Sequence, residues 1–197
     1  MKVKICGITN LEDALAAIEA GADALGFVFY PKSPRYIEPF EARKIVDKLP
    51  PFIQTVGLFV NEYNTFIHHA CINAKMQLAQ IIDDDNYTDF TSLDVRYIKV
   101  LRAKSKEDID SISVNEYILV DAFVESFGGE GKRVALEWFK NKDCSKIILA
   151  GGLNENNLLE LKGLNLYGVD VSSGVEAHKG KKDKNKMINF VKAANEI

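Results

Sequence analysis

Two side chains at the ends of predicted strands could exchange protons with a substrate. Cys6 ends a β-rich segment at positions 3–6, and Asp121 follows the apolar run 118–120. A nearby cation favours the reactive thiolate of a cysteine, whereas burial raises the pKa of a carboxyl group. Alternation along the first strand puts Lys4 on the same face as Cys6 and below it. The pair predicts acid–base chemistry, with a small buried cysteine and a loop-capping aspartate as the structural alternatives.

Two glycine-containing segments predict a phosphate-binding site. One follows the seventh predicted strand and the other follows the eighth, where barrel enzymes often bind phosphate. Glycine lets backbone N–H groups approach an anion, and serine adds hydroxyl donors. Ordinary turns also contain glycine, so the paired position of the two segments carries the argument. The residues concerned are Gly151, Gly152, Ser172, Ser173 and Gly174.

Other charged and flexible segments have more than one interpretation. Arg35, beside rigidifying prolines, could hold a carboxylate through two hydrogen bonds or remain a surface charge. The glycine-rich loop at 128–132 could close over a ligand. Asp170 could be an interior polar residue that holds neighbouring strands together. The lysines at 179–186 are expected to be solvated, and the acidic run at 83–85 lacks the histidine or glutamate of a metal site.

The elements that must position these residues alternate regularly along the chain. Strands that alternate with helices indicate parallel βαβ units, and eight such units indicate a (β/α)8 barrel. An open doubly wound sheet is the alternative, but no glycine fingerprint follows the first strand. The predicted strands are 3–6, 24–30, 54–60, 76–82, 97–103, 117–123, 146–150 and 168–171. The first predicted helix begins after Asn10 and ends at Gly21. The other predicted helices cover 39–48, 63–73, 87–93, 106–111, 135–140 and 183–196, and one more is capped by Asn154.

Length and composition limit the class of protein. The chain has 197 residues, which is near the minimum for this barrel, and we expect a single domain over 1–197. Its net charge is −3, so we expect no nucleic-acid partner. No apolar run approaches the roughly 20 residues that cross a bilayer, and the first residues do not resemble a signal peptide. Three scattered cysteines are too few for a disulfide framework or a zinc site and suit a reduced protein, so we expect a cytoplasmic location.

These motifs together resemble those of the phosphoribosylanthranilate isomerase family over almost the whole chain. The matching segments are KICGIT at 4–9, GFVF at 26–29, SPRY at 33–36, GGEGK at 128–132 after Asp121, LAGGL at 149–153 and VDVSSGVE at 169–176. The resemblance implies a (β/α)8-barrel enzyme of tryptophan biosynthesis that performs an Amadori rearrangement of a small phosphosugar. The implied reaction needs no metal, nicotinamide or other cofactor. The chain itself is compatible with a monomer or a homodimer.

The resemblance also implies a role for individual residues. Cys6 would be the general base, Asp121 the general acid and Arg35 the contact for the anthranilate carboxylate. Gln77 would contact the substrate, because it matches the glutamine of the family's Gln-Leu-His-Gly motif. The residues implied for the phosphate site are Gly152, Ser172, Ser173 and Gly174, and Gly151 lies beside them in the substrate-binding set.

The fourth strand departs from the family pattern. It reads MQLAQ at 76–80, so Ala79 and Gln80 stand where the family usually has histidine and glycine. A related barrel, indole-glycerol-phosphate synthase, is an alternative, but that family uses lysine and glutamate at the mouth. A non-catalytic phosphosugar-binding protein is the second alternative, with Ala79 as a sign of decay. Cys6 and Asp121 argue against both.

Overall fold

The computed structural model describes residues 1–124 and 132–197. Eight described strands form a closed parallel barrel in chain order, and the last pairs with the first. The predicted (β/α)8 barrel is therefore confirmed, and the open sheet is excluded. The strands are β1 (Lys2–Cys6), β2 (Ala24–Val28), β3 (Gln54–Val60), β4 (Leu78–Ile82), β5 (Tyr97–Ala103), β6 (Ile118–Ala122), β7 (Ile147–Leu149) and β8 (Gly168–Val171).

The helices cover the outside of the barrel. The side-chain oxygen of Asn10 accepts a hydrogen bond from the N–H of Asp13 at 2.8 Å, so Asn10 caps the first helix as predicted. Gly21 ends that helix at a φ of 99°, in the left-handed region that favours glycine. The α-helices are α1 (Leu11–Ala20), α2 (Pro39–Val46), α3 (Asn64–Ala74), α4 (Lys106–Asp110) and α5 (Lys184–Asn195). Single turns of 3₁₀ helix are Leu136–Phe139, Leu158–Leu161 and Ser173–Val175.

The predicted helix at 87–93 is wrong, because residues 83–96 form turns and bends. The Asp83 carboxylate accepts hydrogen bonds from the N–H groups of Tyr87 and Thr88. The Asp89 carboxylate accepts another from the N–H of Thr91. These side chains satisfy backbone donors locally, which offers the chain an alternative to helical hydrogen bonding. The predicted helices after β6 and β7 are likewise reduced to single 3₁₀ turns.

Two apolar layers place the polar residues. The larger layer lies between the strands and the helices, and it includes Ala79, which is fully buried. The smaller layer fills the barrel interior around Ile98, Leu119 and Ala150, with Leu78 packed against it. Because side chains alternate along a strand, Gln80 shares the interior face of β4 with Leu78. Ala79 therefore lies on the helix-covered face of β4 and does not reach the interior of the barrel.

A hairpin that the sequence pattern did not predict follows β8. Strands β9 (Glu176–His178) and β10 (Lys181–Lys182) pair antiparallel. The hairpin is attached to the first βα unit, because the N–H of Lys182 donates to the Asp13 carboxylate at 2.9 Å. The expectation that all lysines of 179–186 are solvated is wrong, since Lys182 is only 4% exposed.

Some expectations lie beyond these observations. The loop predicted to close at 128–132 lies outside the described residues except for Lys132. Among the described residues, no helix has both the length and the apolar composition needed to cross a membrane. The barrel strands and α5 together extend over the chain from Lys2 to Asn195, and the single domain over 1–197 stays a prediction.

Candidate active site

A cavity of about 340 Å³ opens at the carboxyl ends of the barrel strands. This is the end at which barrel enzymes bind their substrates. The cavity brings together both predicted proton-transfer residues, the predicted carboxylate contact and the two predicted phosphate segments. The predicted residues that line it are Cys6, Arg35, Asp121, Gly151, Gly152, Ser172, Ser173 and Gly174.

Cys6 lies on the interior of β1, directly above a buried lysine. The ammonium of Lys4 donates to Asp170 at 2.8 Å and lies close enough to the Cys6 sulfur to favour its thiolate. A Cβ atom on Gly26 would lie 2.7 Å from Cys6 Sγ and 2.9 Å from Lys4 Nζ, so only glycine leaves room for this contact. The sequence prediction of Lys4 below Cys6 and of Asp170 as an interior link between strands is confirmed.

Burial controls the protonation of the thiol in this site. It raises the pKa of Cys6 above the usual value of a thiol, and the nearby Lys4 ammonium offsets this effect only in part. We expected the cation to lower the pKa below its usual value, so the cation is present but burial exceeds its effect. Lys4 itself loses hydration on burial, yet Asp170 and Cys6 raise its pKa and keep it charged.

Asp121 has the environment expected of an acid. It projects from β6, and its Oδ1 accepts a hydrogen bond from the N–H of Ala122 at 2.8 Å. Burial raises its pKa to about 6, and the negative charge of Asp170 acts in the same direction. Gly151 packs directly against this carboxyl group, because a Cβ atom there would lie 2.6 Å from Asp121 Oδ1. Gly151 therefore gives Asp121 space, in addition to its predicted place in the phosphate segment.

The two predicted phosphate segments meet at one side of the cavity. A Cβ atom on Gly174 would lie only 1.9 Å from the carbonyl oxygen of Leu153, so the two backbones are in contact there. Side chains behind the loops bind their carbonyl groups. Asn157 donates to Gly152 O at 2.9 Å, and Lys182 donates to Ser172 O at 3.1 Å.

These contacts leave backbone donors for an anion. A 3₁₀ turn begins at Ser173, and the first N–H groups of a helix have no intrahelical partner. The serine hydroxyl groups lie beside them at the same wall of the cavity. The arrangement can therefore bind a phosphate group through backbone N–H and hydroxyl donors.

Arg35 has a different environment from the one expected. Its Nε and Nη2 atoms donate to the two carboxylate oxygens of Glu176, both at 2.8 Å, and the side chains are almost completely buried. This bidentate pair corrects the expectation of a two-pronged clamp that is free for a ligand. Lys182 adds a third buried charge, with Nζ 3.0 Å from Glu176 Oε1. Burial lowers the pKa of the Lys182 ammonium, although Glu176 acts in the opposite direction.

Comparison with known proteins identifies the family. The family model described as N-(5'phosphoribosyl)anthranilate (PRA) isomerase matches residues 3–193. The chain belongs to this isomerase family. A relative from a Nitratiruptor species, named N-(5'-phosphoribosyl)anthranilate isomerase, is 60% identical over 194 residues, which are 98% of each chain. A relative of the same name from a Sulfurovum species is 52% identical over all of both chains.

Solved structures of isomerases have the same fold. The crystal structure of phosphoribosyl anthranilate isomerase from Thermotoga maritima has a TM-score of 0.83 at 37% identity and covers both chains completely. A structure of such an isomerase in complex with reduced 1-(o-carboxyphenylamino)-1-deoxyribulose 5-phosphate has a TM-score of 0.82, also at 37% identity with complete coverage of both chains.

Gln77 is the predicted site residue that the structure places elsewhere. It precedes β4 at the amino end of the barrel, where it lines a separate cavity. Its side-chain oxygen accepts hydrogen bonds from the N–H of Thr55 at 3.0 Å and from the Gln54 amide at 3.1 Å. The match to the isomerase motif therefore assigned the wrong glutamine of this strand to the mouth. Gln80, three residues later, is the one that lines the active-site cavity.

Sequence reasoning also missed two charged residues behind the site. Glu176 and Lys182 hold Arg35 and the Ser172 carbonyl, but nothing in their spacing predicts that the β9–β10 hairpin folds under the barrel mouth. For Gln80 a signal existed, because alternation from the interior residue Leu78 puts it on the same face.

Among the described residues, no group of three His, Cys, Asp or Glu side chains is arranged to hold a metal ion.

Proposed function

We propose that this chain converts N-(5'-phosphoribosyl)anthranilate to 1-(2-carboxyphenylamino)-1-deoxyribulose 5-phosphate in tryptophan biosynthesis. The observation that carries the proposal is the burial of Cys6 and Asp121 at one cavity that also contains both phosphate segments. Membership of the isomerase family supports the same substrate. The reaction is an internal redox change of the sugar, in which C1 is reduced and C2 is oxidised.

Asp121 acts first, as the general acid. Its protonated carboxyl group gives a proton to the ring oxygen of the ribose, the C1–O bond breaks, and the nitrogen lone pair forms a Schiff-base cation. A pKa of about 6 leaves a useful protonated fraction near neutral pH and makes the group a strong enough acid to donate. Burial supplies this pKa, so the apolar surroundings of β6 are part of the mechanism.

Cys6 acts second, as the general base. Its thiolate removes the proton from C2, and the C–H electron pair forms a C1–C2 double bond while the cationic nitrogen is neutralised. The enolamine then tautomerises to the ketone as C1 gains a proton and the C2 hydroxyl loses one. Because burial disfavours the thiolate, the Lys4 ammonium is the group that makes it accessible. Asp170 holds Lys4 in place for this purpose.

The rest of the cavity binds the two charged ends of the substrate. Gly152, Ser172, Ser173 and Gly174 bind the phosphate group through backbone and hydroxyl donors. Arg35 contributes the anthranilate contact through Nη1, because its other two nitrogens bind Glu176. The ion pair with Glu176 also fixes the orientation of the Arg35 guanidinium before the substrate binds.

A cytoplasmic location is part of the proposal, and the cysteines support it. All three cysteines are buried free thiols, as a reducing cytoplasm would keep them. The enzyme works as a monomer or a homodimer, and one relative, from Thermotoga maritima, is described as a dimeric isomerase from which monomers were generated. Analytical ultracentrifugation at micromolar concentration distinguishes the two states, since a dimer has about twice the 22.0 kDa mass of the chain.

The test is an activity assay with a matched acid variant. Phosphoribosylanthranilate is made in situ from anthranilate and phosphoribosyl pyrophosphate, and the loss of its fluorescence is followed after protein is added. We expect rapid decay with the wild type and a rate reduced by about 10²–10⁴-fold with Asp121→Asn. No decay above the spontaneous rate with folded wild type would overturn the proposal and favour a phosphosugar-binding protein. Normal decay with Asp121→Asn would remove the acid from that residue.

A further inference from the structure

Lys182 is a completely buried cation behind one of the two phosphate segments. Its side chain is 0% exposed. Its ammonium lies 3.1 Å from the carbonyl oxygen of Ser172 and 3.5 Å from the hydroxyl oxygen of the same residue. Among the described residues, the carboxylate within ion-pair distance of it is that of Glu176, at 3.0 Å. Lys182 therefore reaches the wall of the cavity from behind, through Ser172.

The β9–β10 hairpin fixes the position of this ammonium. Glu176 and Lys182 are paired across the hairpin, so their side chains lie on the same side of it. The N–H of Lys182 donates to the buried carboxylate of Asp13 at 2.9 Å, which attaches the hairpin to α1. Two separate elements thus hold the cation behind Ser172.

The buried charges at this place do not balance. Arg35 and Lys182 are both cations, and both bind the single carboxylate of Glu176. The neighbouring ions Lys4 and Asp170 pair with each other and add no net charge. One positive charge is therefore in excess. Its burial is costly, and burial accordingly lowers the pKa of the Lys182 ammonium. A positive excess beside a cavity attracts an anionic ligand.

The peptide group between Ser172 and Ser173 connects this charge to the cavity. A hydrogen bond to a carbonyl oxygen polarises the peptide group and strengthens its N–H as a donor. Lys182 binds the carbonyl of Ser172, and the N–H of the same peptide group belongs to Ser173, which lines the cavity. The ammonium also turns the hydrogen of the Ser172 hydroxyl away from itself, because lysine can only donate. Both effects strengthen the donors that face an anion.

We propose that Lys182 is a positioning residue of the phosphate site and that the phosphate group of the substrate is the counter-ion of the buried positive charge. The inference rests on the proposed function and adds a residue that acts through Ser172 and Ser173 without touching the substrate. The phosphate group is remote from the reacting carbons. Lys182 therefore stabilises the bound substrate and the transition state to the same extent.

The experiment compares Lys182→Met with wild type. We expect inhibition by inorganic phosphate to weaken about tenfold and KM to rise by a similar factor, because a hydrogen bond from a charged group is lost. The value of kcat should stay within about twofold of wild type, since the lost binding is uniform. Inhibition by anthranilate, which has no phosphate group, should weaken much less. Added phosphate should raise the Tm of wild type more than that of the variant.

Lys186→Met is the matched control. Lys186 donates to the carbonyl oxygen of Glu176 at 2.8 Å, so this variant removes a lysine that binds the hairpin rather than Ser172. Its inhibition by phosphate should equal that of wild type. Lys182→Gln removes the charge but keeps an N–H donor. It should show a smaller loss of the same kind, and it replaces the methionine variant if that variant does not fold.

The outcomes separate the inference from the proposed function. Wild-type inhibition by phosphate in Lys182→Met would overturn the inference and leave the isomerase proposal intact. An equal loss for phosphate and anthranilate would also overturn it, as would a lower Tm with an unchanged KM, because Lys182 would then be merely structural. Wild-type protein that neither binds phosphate nor turns over phosphoribosylanthranilate would overturn both proposals.

Discussion

The two sides of the barrel mouth differ in how completely their buried polar groups are paired. On the side of β8 and β1, the buried charges are paired, with Lys4 on Asp170 and Arg35 on Glu176. On the side of β4–β6, Arg102 is paired with Asp84, but Gln80 has an unpaired oxygen and Asp121 belongs to no ion pair among the described residues.

This difference separates the residues that shape the binding site from those that can exchange a proton. A paired buried charge keeps its protonation state and its direction, which suits residues that shape a binding site. Asp121 lies in no ion pair among the described residues, and burial raises its pKa despite the nearby cations Arg102 and Lys4, so it can give up a proton near neutral pH. Cys6 stands between the two sides, because it is buried like Asp121 but contacts the paired Lys4.

The largest effect is expected where the two sides meet. Cys6→Ala removes the base, so we expect kcat to fall by about 10²–10⁴-fold with a much smaller change in KM. Stopped-flow fluorescence gives both constants. Cys71→Ala is the control, since Cys71 is also a buried free thiol but lies on α3, outside the cavity. Near-normal kcat in Cys6→Ala would assign the base elsewhere.

Breaking the buried ion pair between Arg35 and Glu176 should reduce the stability of the fold. Glu176→Gln leaves Arg35 and Lys182 buried without a compensating charge, so we expect the free energy of unfolding to fall by about 3–5 kcal/mol. Urea denaturation measures it. Glu160→Gln breaks the exposed ion pair with Arg133 and should cost no more than about 1 kcal/mol. Equal small losses in the two variants would show that the buried pair stabilises no more than a surface pair.

The unpaired side should gain stability when its charge is removed. The folded-state pKa of Asp121 is raised to about 6 from 3.8, so its stabilising contribution is present below pH 3.8 and is lost as pH rises through about 6. At pH 7 the free energy of unfolding of Asp121→Asn should therefore exceed that of wild type by up to about 3 kcal/mol. Below the ordinary carboxyl pKa this difference should disappear. Urea denaturation at several pH values tests this. A constant difference at all pH values would contradict a raised pKa.

The smallest effect is expected from Lys4, whose charge favours the thiolate of Cys6. Lys4→Met removes the cation that offsets burial, so the thiolate fraction and kcat/KM at pH 7 should fall about tenfold for each unit gained by the Cys6 pKa. The alkaline limb of the profile of kcat/KM against pH should move to higher pH. Lys4→Arg keeps the charge and should restore most of the activity. Equal profiles for the methionine and arginine variants would mean that Lys4 acts only through packing.

Local patterns in the sequence were sufficient for the framework of the site. Alternating apolar runs predicted all eight strands, because strand periodicity and burial are properties of a few consecutive residues. Placement at strand ends then predicted Cys6, Asp121 and the two phosphate segments, since parallel strands bring their carboxyl ends to one side. Burial of Asp121 and its raised pKa followed from the three apolar residues that precede it.

Contacts between distant segments were decided only by the tertiary structure. Arg35 and Glu176 lie 141 positions apart, and Lys4 and Asp170 lie 166 apart, so no local pattern could pair them. The choice between Gln77 and Gln80 depended on which end of the barrel each reaches, and a one-dimensional motif match does not define this. The sequence determined which groups could do the chemistry. Closure of the barrel decided which of them are paired and which remain free to bind or react, because pairing depends on distances across the barrel.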